Sequence, residues 1–350
     1  MGAVDHTYPL HPIACVVGAV MLLVVIAVYL IRRRWNLVIF FLASCLAIEN
    51  LMLAANEISW FSDASIKLHA YCDIFSHFLL FCYIVRALST LLITRRLYII
   101  SGLRTTTSYE TKGGLILTWV LELAVPAMIA GPLYYVVQTN RFDVVAGFGC
   151  VYALDYSFLT ILLVGGWGVV FPLISILIYY PKVAYFFYSQ SREAARLRSG
   201  ASNSALSRAD YLRIFALSSI DILLTLPTNV IVVALAVLDF RDTSDPPPFY
   251  SGWDTVHADW TPQVGKRKAY FDLLAWMAPV TSFALFAIFG FTPDARAAYS
   301  QVIRTAKGWL GWKPNADTPR TSSVTSLAFG RPAQEAGTAQ AASGVTGQSV

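Results

Sequence analysis

The chain has 350 residues, of which 56% are hydrophobic and 13% are charged, and its formal net charge is +5. Soluble globular domains carry about 25% charged residues, so this composition excludes an ordinary soluble domain and favours a bundle whose apolar surface faces lipid. The modest charge gives no sign of nucleic-acid binding, and 5 cysteines without a CxxC pair exclude a thiolate zinc site and a disulfide-rich secreted domain.

Seven windows in the sequence are long and apolar enough to span a bilayer, whose hydrocarbon core needs about 20 such residues per helix. We therefore predict an all-α membrane protein in which residues 1–292 form a bundle of seven transmembrane helices. Prolines within several windows do not oppose this, because neighbouring helices and waters satisfy the freed carbonyl groups. The predicted spans are His11–Ile31, Leu37–Trp60, Tyr71–Thr94, Gly114–Val137, Ser157–Pro181, Leu212–Leu238 and Phe271–Thr292.

The positions of Lys and Arg predict how the bundle is oriented. No Lys or Arg precedes the first window, and Arg32, Arg33 and Arg34 follow it, so we expect a retained span rather than a cleaved signal peptide. If the N terminus is outside, most of the 26 Lys and Arg residues fall in the inner segments. Because cytoplasmic loops carry the excess of positive charge, we predict the N terminus outside and the C terminus inside.

The residues after the last window divide into two parts. Thr292, Pro293 and Asp294 have the pattern of a helix N-cap, a proline at the first helical position and an acid in the first turn. Apolar residues then recur at helical spacing among basic ones, which predicts an amphipathic helix over residues 293–313 that contacts lipid of the inner leaflet. Residues 314–350 are rich in Ser, Thr, Ala, Gly and Gln, which predicts a disordered cytoplasmic tail.

Several of the predicted spans and loops each contain a short motif, and the motifs follow one another in a particular order along the chain. They are Tyr71-Cys72-Asp73-Ile74, Arg95-Arg96-Leu97-Tyr98, Gly149-Cys150-Val151, Tyr211-Leu212-Arg213, Leu226-Pro227, Trp253-Asp254 with His257 and Trp260, and Phe289-Gly290-Phe291 with Ala295-Arg296 and Tyr299. In this order the chain resembles the fungal a-factor-type lipopeptide pheromone receptors, class D G protein-coupled receptors best known from basidiomycete mating-type loci. The resemblance runs from about Tyr8 to Tyr299.

The resemblance implies a ligand, a partner and an output. The ligand would be a short secreted peptide whose C-terminal cysteine is prenylated, as by a farnesyl group, and methyl-esterified. The partner would be a heterotrimeric G protein at the plasma membrane, and the output would be a mating MAP-kinase cascade. A receptor of this kind is not an enzyme and needs no cofactor. Whether it forms a homodimer is left open.

Two cysteines lie outside the predicted hydrocarbon core. Cys72 is at the outer end of the third span, and Cys150 is in the second outer loop. A disulfide between them would hold that loop over the bundle in an oxidising compartment. The alternative is a pair of free thiols.

Ionisable side chains inside a membrane are costly and are treated as functional candidates. Counting residues from the inner face places Arg86 and Asp221 at similar depths, with Glu49 somewhat higher. Our hypothesis is that Arg86 pairs with Asp221 or with Glu49 in the resting state, and that breaking the pair lets the sixth helix swing about Pro227. The alternative is a static polar clamp that orders the bundle.

A second set of polar and aromatic residues lies near the predicted outer face. We expect part of it to line a cavity for the peptide and part to form a lid. For the tryptophans the alternative is anchoring at the bilayer interface, and for Asp73 with His77 it is a metal or catalytic pair. The cavity residues are Glu57, Trp60, Asp73 and His77, and the lid residues are Trp253, Asp254, His257 and Trp260.

Basic residues flank the predicted inner loops. Such residues commonly bind anionic lipid, and here they are also candidates for docking the G protein. They are Arg95, Arg96, Arg192, Arg196, Arg198, Arg208 and Arg213.

Three other classes of seven-helix protein were weighed against the receptor. A retinal protein needs a lysine within the seventh span, and Phe271–Thr292 contains none. A membrane hydrolase needs a His/Asp cluster that the sequence lacks. A transporter of a small polar solute remains the alternative, although the sequence has no evident internal repeat.

Overall fold

A computed structural model describes residues 8–32, 37–102, 112–196, 205–241, 248–265, 269–292, 295–301 and 304. Residues 295–301 are helical, but most of the predicted amphipathic helix at 293–313 lies outside the described residues. The predicted disordered tail at 314–350 also lies outside them.

Seven helices in this part of the chain are long and apolar enough to cross a membrane, the number that the sequence predicts. Large apolar side chains on their outer faces stay exposed, Leu177 by 74% and Leu223 by 71%. A helix that is apolar on every face fits a lipid environment. The spans are Leu10–Arg32, Leu37–Ser59, His69–Gly102, the fourth from Lys112–Trp119 to Tyr134–Val136, the fifth from Phe158–Thr160 to Tyr180–Arg196, Ala205–Arg241 and Ala269–Phe289.

The fourth and fifth spans are not regular α-helices. Each contains two π-helical stretches, Val120–Ala124 and Ile129–Leu133 in the fourth, Ile161–Gly165 and Ser175–Tyr179 in the fifth. Prolines lie within or close to three of them, but not near Ile161–Gly165. A proline has no N–H to donate and displaces a carbonyl of the preceding turn, so it favours such departures from the α-helix. The sixth and seventh spans keep α-helical geometry through Pro227 and Pro279.

The third span lies at the centre of the bundle, where it packs against the second, fifth and sixth spans. Polar contacts supplement the apolar core around it. The buried Asn50 of the second span donates a 2.9 Å hydrogen bond to Ser282 of the seventh. Gly18 lets the first span approach the seventh closely, because a Cβ at Gly18 would lie 3.2 Å from the Cβ of Ser282.

One end of the bundle carries a small β-sheet, and we call it the sheet end. Strand β1 (Asp143–Val145) pairs antiparallel with β2 (Gly149–Val151), and β3 (Gln263–Gly265) runs parallel to β1. The strand order is therefore β2-β1-β3. The all-α prediction misses this sheet because strands of three residues are too short to produce a recognisable period-2 pattern.

Candidate ligand-binding site

The β1–β2 hairpin is fixed to the bundle by a covalent bond. Cys150 of β2 forms a disulfide with Cys72 at the start of the third span, with their Cα atoms 5.4 Å apart. The other three cysteines, at positions 15, 45 and 82, are buried free thiols.

Asn56 of the second span holds the same hairpin through its side-chain amide. Its Nδ2 donates to the carbonyl oxygens of Phe148 (2.7 Å) and Cys150 (3.2 Å), and its Oδ1 accepts the N–H of Cys150 (3.0 Å). Gly149 lies between these residues with φ +96°, and a Cβ there would meet the Asn56 amide at 2.5 to 2.7 Å. The position therefore requires glycine, both for its backbone conformation and for space.

A small cavity lies beneath the hairpin. Phe148 and Tyr152 cover it, and both rings contact the ring of Phe271, with centroids 6.0 and 6.3 Å away. Burial raises the pKa of the Tyr152 phenol to about 12, so this cover is uncharged at physiological pH. The second, third and seventh spans supply the rest of the lining, Leu53, Leu79, Tyr83, Arg86, Leu274 and Ala275.

Arg86 is the one charged side chain among the residues described as lining the cavity. Its Nη1 donates to both carboxylate oxygens of Glu49, at 3.0 and 3.2 Å, and both side chains are buried. The structure thus pairs Arg86 with one of the two partners that the sequence suggests. The side chain of the other, Asp221, lies outside the described residues. Removing one member of a buried ion pair costs about 3–5 kcal/mol, since the other charge is left uncompensated.

Glu57 and Trp60 lie outside this cavity. The carboxylate of Glu57 contacts Nδ1 of His11 at 2.7 Å, and the His11 ring meets Trp276 edge-on at 4.8 Å. Trp60 is fully buried, and its indole N–H donates to the carbonyl oxygen of Ser65 at 2.8 Å. Glu57 therefore joins the first span to the second, and Trp60 orders the loop that follows.

Asp73 and His77 share a helical face but do not pair through their side chains. The Asp73 carboxylate accepts from Nε of Arg141 at 2.7 Å and from its Nη2, and these contacts raise the pKa of Arg141. Nδ1 of His77 lies 2.9 Å from the carbonyl oxygen of Asp73, and its ring packs edge-on against Tyr134. Within the described part of the chain, no three His, Cys, Asp or Glu residues lie close enough together to hold a metal ion.

Three of the four predicted lid residues form an aromatic cluster around Tyr135 at the end of the fourth span. Ring centroids of Trp253, His257 and Trp260 lie 5.8, 5.1 and 5.6 Å from that of Tyr135. His257 Nε2 also lies 3.0 Å from the Tyr135 carbonyl oxygen. The tryptophans remain 50% and 39% exposed, and Asp254 is exposed. The cluster presents an aromatic surface at the sheet end, and its members are not among the described residues that line the cavity.

Several buried polar residues are not among the predicted site residues, and Glu122 is the clearest of them. It is 1% exposed in the fourth span, where Ser89 donates to its Oε1 at 3.3 Å. Its Oε2 has no hydrogen-bond partner among the described residues. Glu122 is the single acidic residue of the predicted window Gly114–Val137. The rule that makes an ionisable side chain inside the membrane a functional candidate therefore selects Glu122 as it selects Arg86.

Two hydroxyl contacts hold the sixth span near the end opposite the sheet. The side-chain oxygens of Thr94 and Ser218 lie 2.6 Å apart, and those of Tyr180 and Ser219 lie 3.0 Å apart. They connect the sixth span to the third and to the fifth. Hydroxyl side chains are frequent in these helices, so nothing in the sequence singles out these three Ser and Thr residues or Tyr180.

The basic residues predicted to dock a partner lie at or beyond the helix ends opposite the sheet. Arg95, Arg96 and Arg213 are partly exposed there. Nearby, Nζ of Lys182 lies 5.1 Å from the centre of the Tyr98 ring. Arg192, Arg196 and Arg208 fall within the fifth and sixth helices, but their side chains lie outside the described residues, as does all of Arg198.

A comparison with known protein families gives a match to the STE3 family, described as "Pheromone A receptor", over residues 10–309. The chain belongs to this family. As a pheromone receptor family member with seven apolar helices, the receptor is a multi-pass membrane protein, and receptors of this kind act at the plasma membrane.

Individual relatives of the receptor come from basidiomycetes. It is 27% identical to "Pheromone receptor 1" of Ustilago hordei over 315 residues, which cover 86% of this chain and 84% of that one. It is 28% identical to "Pheromone B alpha 2 receptor" of Schizophyllum commune over 316 residues, which cover 87% of this chain and 47% of that one. The receptor thus spans most of the Ustilago protein but about half the length of the Schizophyllum protein.

Proposed function

We propose that this receptor binds a secreted peptide mating pheromone at the sheet end and activates a heterotrimeric G protein at the opposite end, upstream of a mating MAP-kinase cascade. The observation that carries the proposal is the cavity beneath the fixed hairpin, which has apolar walls and the Arg86–Glu49 pair at its base. A site of this kind, inside a seven-helix bundle of the pheromone receptor family, links a ligand to the packing of the helices.

The proposed orientation places the N terminus and the sheet end outside. The excess of Lys and Arg in the segments opposite the sheet supports it. In this orientation the segment at 293–313 lies on the inner leaflet in contact with lipid, and the tail at 314–350 is cytoplasmic and disordered.

The proposed ligand carries a farnesylated, methyl-esterified C-terminal cysteine. The apolar walls of the cavity suit part of such a ligand. The aromatic cluster of Trp253, His257 and Trp260, with Asp73 and His77 at the start of the third span, would contact its peptide part. Glu57 and Trp60 would act indirectly, since Glu57 joins the first two spans and Trp60 orders the adjoining loop.

The proposed switch is the Arg86–Glu49 pair. A ligand that reaches Arg86 competes with Glu49 for its guanidinium donors. Breaking this pair would release the sixth helix, which carries Asp221, to swing about Pro227. The movement would separate the third and sixth helices at the end opposite the sheet and open a crevice for the G protein.

Coupling would involve the basic residues at that opposite end. They are Arg95, Arg96, Arg192, Arg196, Arg198, Arg208 and Arg213. The same residues could instead bind anionic lipid. Docking of the G protein and binding of lipid predict different rates of nucleotide exchange when these residues are replaced. Replacing them by glutamine lowers nucleotide exchange at saturating agonist if they dock the G protein, and leaves it unchanged if they bind lipid alone.

The direct test uses purified receptor in nanodiscs with a fungal heterotrimeric G protein. Candidate agonists are synthetic peptides that end in S-farnesyl cysteine methyl ester, first selected in a pheromone-reporter host. We expect at least one peptide to accelerate nucleotide exchange and its non-farnesylated counterpart to be far weaker. Solute flux through the receptor in liposomes, without any agonist-dependent exchange, would instead indicate the transporter.

A further inference from the structure

Among the described residues, nothing pairs with one edge of the sheet. In the order β2-β1-β3, the central strand is β1, and β2 is completely buried against the bundle. Strand β3 is exposed, with 62% of Val264 accessible. The free edge of β3 is therefore the side on which the sheet can be extended.

The register of β3 determines which of its backbone groups face that edge. The Gln263 N–H donates to the Phe142 carbonyl oxygen, and Asp143 and Val145 lie opposite Gln263 and Gly265. In a parallel ladder, alternate residues bond to the neighbouring strand. Gln263 and Gly265 thus bond to β1, while the N–H and C=O of Val264 point away. Within the described residues neither group has a hydrogen-bond partner.

An outward N–H and C=O pair on an exposed strand is a template for another extended chain. The bonding pattern fits a peptide backbone and does not depend on the side chains that the peptide carries. Two occupants have that chemistry, a peptide ligand and β3 of a second receptor.

We propose that an extended segment of the peptide ligand adds to β3 as a fourth strand, through the backbone N–H and C=O of Val264. This inference rests on the proposed function. A short peptide needs few main-chain bonds, whereas a stable dimer interface buries about 1,200–2,000 Å² in total, far more than a three-residue edge supplies. The exposed Trp253 and Trp260 lie earlier in the same loop, where they can contact side chains of such a peptide.

Pairing at β3 would act on the bundle over a short distance. The seventh span begins at Ala269, just after β3 ends at Gly265. On its other side β3 pairs with β1, whose hairpin is joined to the third span by the Cys72–Cys150 disulfide. A bound strand therefore pulls on the seventh span relative to the third, and both line the cavity.

The test compares Val264→Pro with Val264→Ala. Proline removes the outward N–H and leaves the bonds to β1 in place, because proline is tolerated where the N–H of an edge strand faces solvent. We expect Val264→Pro to raise the agonist EC50 about 3- to 10-fold at an unchanged surface level. Val264→Ala keeps the N–H and should stay within about 2-fold of the wild type.

Modified agonists then identify the bond itself. The active farnesylated peptide is resynthesised with single N-methyl groups at successive positions. At one position the N-methyl group should lower the potency of the peptide on the wild-type receptor. The same group should lower potency much less on Val264→Pro, because both changes disrupt the same pairing. Losses that add independently at every position would overturn the proposal, as would equal losses for Val264→Ala and Val264→Pro.

A measurement without a variant covers the case in which Val264→Pro fails to reach the surface. Hydrogen–deuterium exchange of the wild-type receptor should slow at the Val264 amide when agonist binds, and unchanged exchange there would overturn the proposal. A Val264→Pro receptor with normal EC50 but less dimer would assign the edge to a second receptor. If no peptide in the panel stimulates nucleotide exchange, the proposed function itself fails. If peptides signal but Val264 stays unprotected, only this inference fails.

Discussion

Asn56 and Gly149 illustrate how single residues define the site. One buried amide satisfies three backbone groups of the hairpin, and one glycine leaves the space that the amide occupies. Neither residue touches the cavity, yet together they determine where Phe148 and Tyr152 lie above it.

Gly149→Ala should therefore destabilise the receptor. A side chain at φ +96° costs about 1–2 kcal/mol, and its contact with Asn56 adds to that cost. We expect a lower melting temperature and less surface receptor, measured by thermal unfolding in detergent and by surface labelling. Gly113→Ala is the matched control, because a Cβ there has nothing within 4 Å, and it should leave both measurements unchanged or slightly raised.

Glu49→Gln tests the proposed switch at the level of one residue. It removes the charge that compensates Arg86 and should raise basal nucleotide exchange about 5-fold or more, since a loss of about 1 kcal/mol from the resting state already gives that factor. Glu122→Gln is the control, a buried acid outside the pair, and should leave basal exchange unchanged.

Asp221→Asn distinguishes the two proposed partners of Arg86. If Asp221 restrains the resting receptor, its neutralisation raises basal exchange as well. An unchanged basal level together with a normal agonist response would contradict any role of Asp221 in the switch.

At the scale of elements, two hydroxyl contacts join the sixth helix to its neighbours near the end opposite the sheet. Its hydroxyl contacts there are Ser218 with Thr94 and Ser219 with Tyr180. Any outward movement of this helix must break both. In the proposed switch they would restrain the same resting state as the Arg86–Glu49 pair, closer to the proposed G-protein surface.

The double variant Ser218→Ala, Ser219→Ala should raise basal signalling about 5-fold or more, because two hydrogen bonds of about 0.5–1.5 kcal/mol each contribute about 1 kcal/mol or more together. Agonist-free nucleotide exchange and reporter output measure it. Ser44→Ala is the matched control, since its hydroxyl donates to Phe40 of its own helix and joins no two spans. Equal basal activity in the double variant and the control would contradict this role.

The elements that can be predicted from the sequence alone are those marked by composition over many consecutive residues. Apolar windows of sufficient length predict the seven spans, and intramembrane charge singles out Arg86 and Glu49. The strands and the π-helical stretches carry no such signal. Strand β3 forms because β1 lies beside it, and the cluster around Tyr135 forms because the loop between the sixth and seventh spans meets the fourth span. Both depend on packing between segments far apart in the sequence.

At the scale of the whole molecule, the receptor assignment depends on an odd number of crossings, since a signal from outside must reach a partner inside. Epitope tags at the two termini test this. In intact cells we expect only the N-terminal tag to bind antibody, and the C-terminal tag to do so after permeabilisation. Labelling of both tags in intact cells would contradict the topology.

The length of the sixth helix has a mechanical consequence. Ala205–Arg241 contains 37 residues, which at 1.5 Å per residue extend about 55 Å and exceed a hydrocarbon core of about 30 Å. The arm from Ala205 to Pro227 measures about 33 Å, so a tilt of about 10° at the proline carries its tip sideways by about 6 Å. A displacement of about 1 Å near the fulcrum is thus amplified several-fold by leverage at the end of the helix opposite the sheet.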